Sequence, residues 1–234
     1  QFIATKKRLE NKFKAKKFIV YFQSFTNTYA PLSTLKALYE KALSFDDVIG
    51  LSIGTRTDCV TDEILDFLYE KSKEKEIWIE YGIQSFFQAT LDKINRADNI
   101  ENMRYWIKKT KEKGLNVCGH LIYGLPDENQ EMMLETFKQT IDLKVDSIKF
   151  HPLYVVKNTL LTNEFKKGRF TPISEELYID TVVKSIINLP QNVSVQRVTA
   201  GIDDDTLLSP LWCKNKHQQM RNIRIALEEE GFIY

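Results

Sequence analysis

The stretch HLIYGLPDENQEMM, residues 120–133, has the pattern of a strand that ends sharply and leads into a helix. Its apolar run stops at Gly124-Leu125-Pro126, and a polar turn follows before residues with helical spacing. Glycine lets the backbone approach a ligand, proline fixes the turn, and the next helix offers free N–H groups to an acceptor. The stretch therefore predicts a strand end where main-chain groups meet a flat heterocycle.

Strand-like runs and amphipathic helical stretches alternate along the rest of the chain. Strands are predicted at 18–25, 48–55, 77–84, 116–124 and 147–155, with a shorter run at 193–198. Helices are predicted over 1–16, after Pro31, after Thr61, from Ile100 to Gly114, over 131–143, and near 160–167, 174–188 and 215–230. Repeated strand-then-helix units require parallel pairing with right-handed crossovers. We therefore expect an α/β fold, either a complete or partial barrel or a doubly wound sheet.

The composition suits one folded domain with a single core. The chain has 234 residues, of which 43% are hydrophobic and 28% charged. A chain of this size can bury enough apolar surface to fold without disulfide bonds or a structural metal. The formal net charge of +1 gives the molecule no large field to attract nucleic acid or a membrane. Because there is neither a long apolar run nor a leader-like segment, we expect a cytoplasmic protein that contacts no membrane.

One face of each predicted strand is polar. Side chains alternate across a strand, so parity sorts each run into two faces. The polar faces carry Glu80 and Gln84 in one run and Lys149 and His151 in another. Burying Glu80 or Lys149 without a partner would cost on the order of 3 kcal/mol or more. These faces favour an open barrel with a ligand cavity near the C-terminal strand ends. The alternative is an internal ion pair, such as Glu80 with Lys149, and no ligand.

Two charged segments each allow two interpretations. Residues 1–16 form either a solvated basic helix or a local RNA-facing patch that includes Lys6, Lys7 and Arg8. The acidic run at 203–205 suggests a cation site, but a simple acidic turn is the more economical interpretation.

Several stretches, in this order and at this spacing, resemble the radical S-adenosylmethionine (SAM) enzymes. They are TRTDCVTDEILDFL (55–68), IEYGIQSFFQATLDKINRADN (79–99) and the opening stretch at 120–133. The branch most similar contains the Elongator catalytic subunit and the oxygen-independent coproporphyrinogen oxidases. Within that branch, five further segments resemble the YhcC family. They are YFQSFTNTYAP (21–31), LSIGTRTDC (51–59), IKFHPLYVVKNTLL (148–161), VQRVT (195–199) and SPLWCKNK (209–216).

The resemblance implies a fold, two cofactors and a reaction. The fold is a partial (β/α)6 TIM-type barrel with SAM lying across the strand ends. A 4Fe-4S cluster held by a CxxxCxxC motif would cleave SAM reductively to a 5′-deoxyadenosyl radical, with flavodoxin or ferredoxin as electron donor. The substrate is unknown, and kinship with Elongator suggests tRNA by analogy alone.

The resemblance also implies roles for individual residues. Arg96 matches an arginine that pairs with the SAM carboxylate, and His120 stands where some relatives direct Asp toward the ribose. No Gly-Gly-Glu motif exists at 23–27, so another side chain there must bind the SAM amino group. The implied cofactor-binding residues are Gln23, Ser24, Thr26, Arg56, Glu80, Gln84, Ser85, Arg96, His120, Gly124, Leu125 and Pro126. The substrate-side candidates are Lys149, His151 and Lys157.

The largest departure from the family is the absence of CxxxCxxC. The three cysteines, Cys59, Cys118 and Cys213, do not have that spacing, so we expect no metal site in this chain. In the family the motif follows the first barrel strand. We therefore expect a barrel at 1–190 that lacks this strand and the cluster loop, an extension at 191–234 packed on it, and no SAM cleavage by the chain alone.

Two other functions remain open at this point. One is a non-redox module that binds a nucleotide or RNA in the barrel cavity. The other is a metal-free barrel enzyme in which Glu80 and His151 act as acid and base.

Overall fold

The strands and helices follow the predicted alternation. The computed structural model describes residues 2–232. The strands are β1 (Phe18–Phe22), β2 (Val48–Thr55), β3 (Glu76–Gln84), β4 (Asn116–Tyr123), β5 (Ser147–Pro152), β6 (Val155–Val156), β7 (Ser194–Arg197) and β8 (Leu207–Ser209). The α-helices are α1 (Phe2–Phe13), α2 (Leu32–Leu43), α3 (Asp62–Ser72), α4 (Gln88–Lys93), α5 (Ile100–Glu112), α6 (Gln130–Asp142), α7 (Leu160–Lys166), α8 (Glu175–Ile187) and α9 (Lys216–Glu229). Residue 1, included in the first predicted helix, lies outside the described residues.

The larger sheet has the strand order β1-β2-β3-β4-β5-β7. The pairs β1 with β2, β2 with β3, and β5 with β7 are parallel. The register places Tyr21 opposite Ser52, Gly54 opposite Glu80, and Lys149 opposite Arg197. β6 and β8 form a separate antiparallel pair. Because parallel strands present their carboxyl ends at one edge, the residues that follow β1 and β2 lie close together.

Residues 2–82 and 102–118 form one compact unit, and residues 83–101 and 119–232 form another. In the first unit, α2 packs on β2, and Leu35 and Tyr39 of α2 are buried. α3 begins where the side chain of Thr61 accepts a hydrogen bond from the backbone N–H of Ile64, which satisfies one of the amide groups left open at a helix start. Four residues of α3 are buried, including Leu65. This unit therefore has its own apolar core under the polar strand faces.

Aromatic side chains fill the core of the second unit. The ring of Tyr123 in β4 lies 5.4 Å from the ring of Phe150 and 6.2 Å from that of Tyr178 in α8. Both phenols find partners, since buried hydroxyl groups are costly without them. Tyr123 shares a hydrogen bond of 2.7 Å with Ser185, and the hydroxyl of Tyr178 donates to the carbonyl of Val198 at 2.8 Å.

β1 ends three residues earlier than predicted because Asn27 folds the chain back over the strand ends. Its side-chain amide donates to the carbonyl oxygens of Phe22 in β1 and Gly54 in β2, both at 2.9 Å. Its backbone N–H also donates to Gly54 O, at 3.2 Å. Phe25, within the reversal, has a left-handed φ of 64°. A residue-by-residue hydrophobicity pattern does not contain this long-range capping interaction.

The short run at 193–198 contains the edge strand β7. Residues 194–197 pair in parallel with β5 and belong to the sheet of six described strands, while the division into a barrel at 1–190 and an extension at 191–234 stays a prediction. Only alternate residues of β7 are partly buried, which is typical of a sheet edge and explains its weak apolar signal.

None of the helices within residues 2–232 has both the length and the apolar character that crossing a membrane requires.

Candidate functional site

Three strands of the first unit direct polar side chains to one point. Glu80 in β3 is only 2% exposed. The hydroxyl of Tyr21 in β1 donates to Glu80 Oε2 at 2.7 Å, and the hydroxyl of Ser52 in β2 donates to Oε1. The strand register produces this arrangement, since Tyr21 and Ser52 are opposed residues of neighbouring strands. The polar face predicted from residue parity is thus present in this unit, and its carboxylate is held by hydrogen bonds.

The loop after β1 is anchored at one end and exposed at the other. Gln23 and Ser24 are exposed, while Thr26 is half-buried. Asn27 fixes the far side of the loop through the strand-end contacts described above. Thr28, which is buried, donates its hydroxyl to the carbonyl of Cys59 at 2.6 Å. The three side chains assigned to the SAM amino group therefore lie just before the anchored end of this loop, and their role stays a prediction.

Arg56 follows β2 and forms a fork with Asp58. Its Nε donates to Asp58 Oδ1 at 2.7 Å, and its Nη2 donates to Oδ2. The Arg56 side chain is 30% exposed, so this is a partly solvated ion pair. A ligand that used Arg56 would have to share or displace Asp58.

In the second unit, the end of β3 turns sharply. Gln84 has a φ of 69°, which is uncommon for a residue with a side chain. Ser85 is fully buried, donates its hydroxyl to Glu128 Oε1, and accepts the N–H of Phe87 at 3.1 Å. Burial raises the pKa of Glu128, and the hydrogen bonds from Ser85 and Thr90 oppose the rise. Ser85 thus fixes the turn that presents Gln84.

Arg96 lies in the loop after α4, where the backbone is tightly folded. Its N–H donates to Leu91 O, and its carbonyl accepts from the N–H of Asp98, both at 2.8 Å. The residue is half-buried, and its guanidinium Nε is shielded from solvent. A shielded guanidinium is suited to a carboxylate ligand, although contact with SAM stays a prediction.

Gly124 is required by packing. Its φ is 87°, and a Cβ at this position would lie 2.7 Å from both Cβ and Cγ2 of Ile173. Its N–H points to Met133 Sδ at 3.2 Å. From the sequence we read this glycine as room for a ligand, whereas the space on that side holds Ile173. Leu125 is buried and Pro126 half-buried, and a contact of this backbone with adenine stays a prediction.

Two histidines and an arginine meet in the second unit. The rings of His120 in β4 and His151 in β5 are stacked, with centroids 5.7 Å apart and planes at 26°. Arg197 Nη1 in β7 lies 3.2 Å from His151 Nε2. Lys149 is 5% exposed, whereas Lys157 is exposed. Arg197 is not among the residues predicted from the sequence, although it occurs in VQRVT, one of the segments that carry the resemblance.

The cysteines do not fit a 4Fe-4S cluster. Cluster iron is bound by thiolates in close sequence groups, but the cysteines here are at 59, 118 and 213. Cys118 and Cys213 are fully buried, and burial raises the pKa of Cys213 to about 12. Cys59 alone is partly exposed. The described residues therefore offer no set of thiolates for a cluster.

Comparison with known proteins gives the family. Residues 4–140 match the radical SAM superfamily, and residues 145–229 match the radical SAM C-terminal domain. YtqA of Bacillus subtilis is 36% identical over 99% of this chain and 72% of its own length. YhcC of Escherichia coli is 37% identical over 93% of this chain and 71% of its own length. A more distant relative, the tRNA uridine(34) acetyltransferase of Methanocaldococcus infernus, is 25% identical over 80% of this chain and 36% of its own length.

A solved structure confirms the predicted fold class. Archaeal Elp3 from Methanocaldococcus infernus superposes with a TM-score of 0.83 at 21% identity, over 99% of this chain and 59% of that one. The protein has the partial (β/α)6 barrel fold and belongs to the radical SAM superfamily. Within the superfamily it is similar to YhcC and YtqA, as the sequence segments indicated.

The donor chemistry of the predicted residues fits SAM. SAM carries a sulfonium, an ammonium group, a carboxylate and an adenine. The buried carboxylate of Glu80 has the charge that a cation requires, and the shielded guanidinium of Arg96 has the charge and shape that a carboxylate requires. These residue types are present in partly or fully buried positions, unlike the thiolates that a cluster would need.

Proposed function

We propose that residues 2–232 form the SAM-binding barrel of a cytoplasmic radical SAM enzyme. The observation that carries this proposal is the carboxylate of Glu80, buried within β3 on the polar face of a radical SAM barrel and held by Tyr21 and Ser52. A buried carboxylate is costly without such partners. Its position is fixed by three strands, which is what orienting a charged cofactor requires.

The predicted SAM contacts divide the work between several groups. Glu80 would attract the positively charged part of SAM, and Arg96 would hold the carboxylate. The turn that Ser85 fixes would present Gln84, and the backbone at 124–126 would contact adenine. In this proposal each of these groups binds or orients SAM, and none of them forms a covalent bond or transfers a proton.

We propose further that this chain binds SAM without cleaving it. Radical SAM chemistry uses an electron from an iron–sulfur cluster, passed on from a donor such as flavodoxin or ferredoxin. Since the cysteines described above do not fit a cluster, those ligands would have to come from outside the described residues. The chain spans 72% of YtqA and 59% of the archaeal Elp3 chain, so the activity of a longer protein is part of the proposal.

The proposed substrate class is tRNA. It is supported by the name of one relative, a tRNA uridine(34) acetyltransferase. It is also supported by the basic helix α1, on which Lys7 and Arg8 are exposed. Lys6 contributes less positive charge to this helix surface, because its ammonium group forms an ion pair with Asp47.

Isothermal titration of the 234-residue chain with SAM tests the proposal. We expect saturable binding that Arg96→Ala weakens by roughly tenfold or more, the usual effect of losing a charge-assisted bond. Arg221→Ala, which removes the same charge from an exposed position, is the matched control and should bind as the unaltered chain does. Anaerobic incubation with iron and sulfide should leave the chain colourless, and added dithionite should release no 5′-deoxyadenosine.

The result that contradicts the proposal is a folded chain with no affinity for SAM. If that chain still bound tRNA, with a steep dependence on salt, the alternative of a non-redox RNA-binding module would be favoured. The exposed cations of α1 are the specific observation behind this alternative.

A further inference from the structure

The half-buried side chain of Glu128 links two loops of the second unit, one that follows β3 and one that follows β4. Its carboxylate Oε1 accepts the hydroxyl of Ser85, the first residue after β3, and Thr90 in α4 supplies a second hydrogen bond. Ser85 is fully buried and Thr90 is 4% exposed, so these bonds form away from water, where an unpaired polar group is costly. Because Ser85 and Glu128 are 43 residues apart in the chain, the contact is a tertiary link and not a local turn.

A tight turn brings Glu128 to this contact. Its backbone N–H donates to the carbonyl of Leu125 at 3.1 Å, which closes a four-residue turn over Pro126 and Asp127. Asp127 has a left-handed φ of 67°, the sign that the third position of a type II turn requires, and proline is favoured at the second position. Glycine adopts this φ at lower cost, so the chain accepts backbone strain in the turn that places Glu128.

Two other contacts connect the same parts of the chain. Lys93 forms an ion pair with Asp127, but their side chains are 51% and 76% exposed, and exposed ion pairs contribute little. The buried hydroxyl of Thr136 in α6 accepts the N–H of Phe86 at 3.2 Å. The turn after β3 is therefore held by shielded hydrogen bonds from the segment that contains Glu128, and Lys93 provides an exposed link for comparison.

We propose that Glu128 is a positioning residue of the SAM site, which fixes the side chain of Gln84 and the backbone at 124–126 in one arrangement. Gln84 directly precedes Ser85, and residues 124–126 lead into the turn that carries Glu128. A bond between Ser85 and Glu128 therefore sets the distance between two groups that are both assigned to SAM, and such prearrangement spares the ligand the cost of ordering them. The proposal rests on the proposed function in naming SAM as the ligand, whereas the link between the loops is independent of SAM.

Hydrogen–deuterium exchange of the SAM-free chain tests the link directly. Mass spectrometry of peptides that cover 84–88 and 124–130 follows both loops in one experiment. Glu128→Ala should speed exchange in both loops, because the buried hydroxyl of Ser85 loses its acceptor. A carboxylate that stabilised only its own loop would change the exchange of 124–130 alone.

A matched control removes a carboxylate from outside the two loops. Glu135 is half-buried in α6, where its Oε1 accepts from Gln139 Nε2 at 2.7 Å. Glu135→Ala should leave the exchange of both loops and the affinity for SAM unchanged. Lys93→Ala, which removes the exposed link, should also leave the affinity for SAM unchanged.

Rescue by glutamine separates positioning from charge. Burial raises the pKa of Glu128, so its surroundings disfavour the charged form, and the amide oxygen of Glu128→Gln can still accept from Ser85. In SAM titrations, Glu128→Ala should weaken binding by roughly three- to tenfold, the range for one lost hydrogen bond, whereas Glu128→Gln should bind as the unaltered chain does. A carboxylate that contacted SAM directly through its charge would lose affinity in both variants.

Ser85→Ala removes the other half of the link. It should weaken SAM binding as much as Glu128→Ala does, and the double variant should bind no more weakly than either single variant, because all three lose the same bond. If Glu128→Ala does not fold, Ser85→Ala serves for the exchange and titration measurements.

Three results would overturn the inference. They are faster exchange at 124–130 alone, unchanged SAM affinity in the folded alanine variants, and an equal loss of affinity in Glu128→Gln. An unaltered chain without affinity for SAM would contradict the proposed function and the ligand named here, while the exchange data would still decide whether Glu128 links the loops.

Discussion

Replacing Gly124 with alanine measures how strongly packing determines the strand end at residues 120–133. The φ of 87° costs an L-residue about 1–2 kcal/mol. The new Cβ would lie 2.7 Å from two atoms of Ile173, and overpacking of this kind costs about 1–3 kcal/mol. Alanine has less conformational entropy than glycine in the unfolded chain, and this difference offsets about 0.4–1 kcal/mol of the loss in stability. We therefore expect a net loss of about 1–4.5 kcal/mol, or a fall in Tm of about 2–18 °C for a chain of this size.

Gly168 provides a matched control for the steric part of this loss. Its φ is 68°, and a Cβ there would meet nothing within 4 Å. Gly168→Ala should therefore lose about 0–1.5 kcal/mol, from backbone strain alone. Urea unfolding of both variants, followed by circular dichroism, gives the comparison. Equal losses in the two variants would refute the packing explanation. A stable Gly124→Ala protein that no longer bound SAM would restore the ligand explanation.

Two further predictions concern the first strand end and the thiols. Asn27→Ala should cost about 1–3 kcal/mol because two side-chain hydrogen bonds, to the carbonyls of Phe22 and Gly54, are lost while the backbone bond to Gly54 remains; an unchanged urea midpoint would show that water replaces the amide at no cost. Iodoacetamide at pH 8 should modify Cys59 first and leave Cys213 unmodified in the native protein, since burial raises the pKa of Cys213 to about 12; peptide mass spectrometry that found Cys213 alkylated first would contradict this. The stability that comes from keeping this thiol neutral should be complete below its ordinary pKa of 9.0 and fall as the pH rises toward 12.

The sequence predicted the alternation of strands and helices because each core element carries its own apolar periodicity. Helices α3, α6 and α8 also begin at residues whose side chains accept a hydrogen bond from the helix, Thr61, Asn129 and Ser174. The strand pairing that the sequence did not predict depends on residues far apart in the chain. β6 and β8 have two and three residues, too few for a period, and they form only because the chain brings positions 155 and 209 together.

The candidate site was less predictable for the same reason. The alternation of side chains along the strand predicted that Glu80 lies on a polar face. The two hydroxyl groups that donate hydrogen bonds to its carboxylate come from other strands, so only the strand register reveals Tyr21 and Ser52. Arg197 was missed because β7 is a weak, partly exposed edge strand. The sequence indicated that position 124 needs glycine. The side chain that excludes a Cβ there belongs to Ile173, about fifty residues later in the chain.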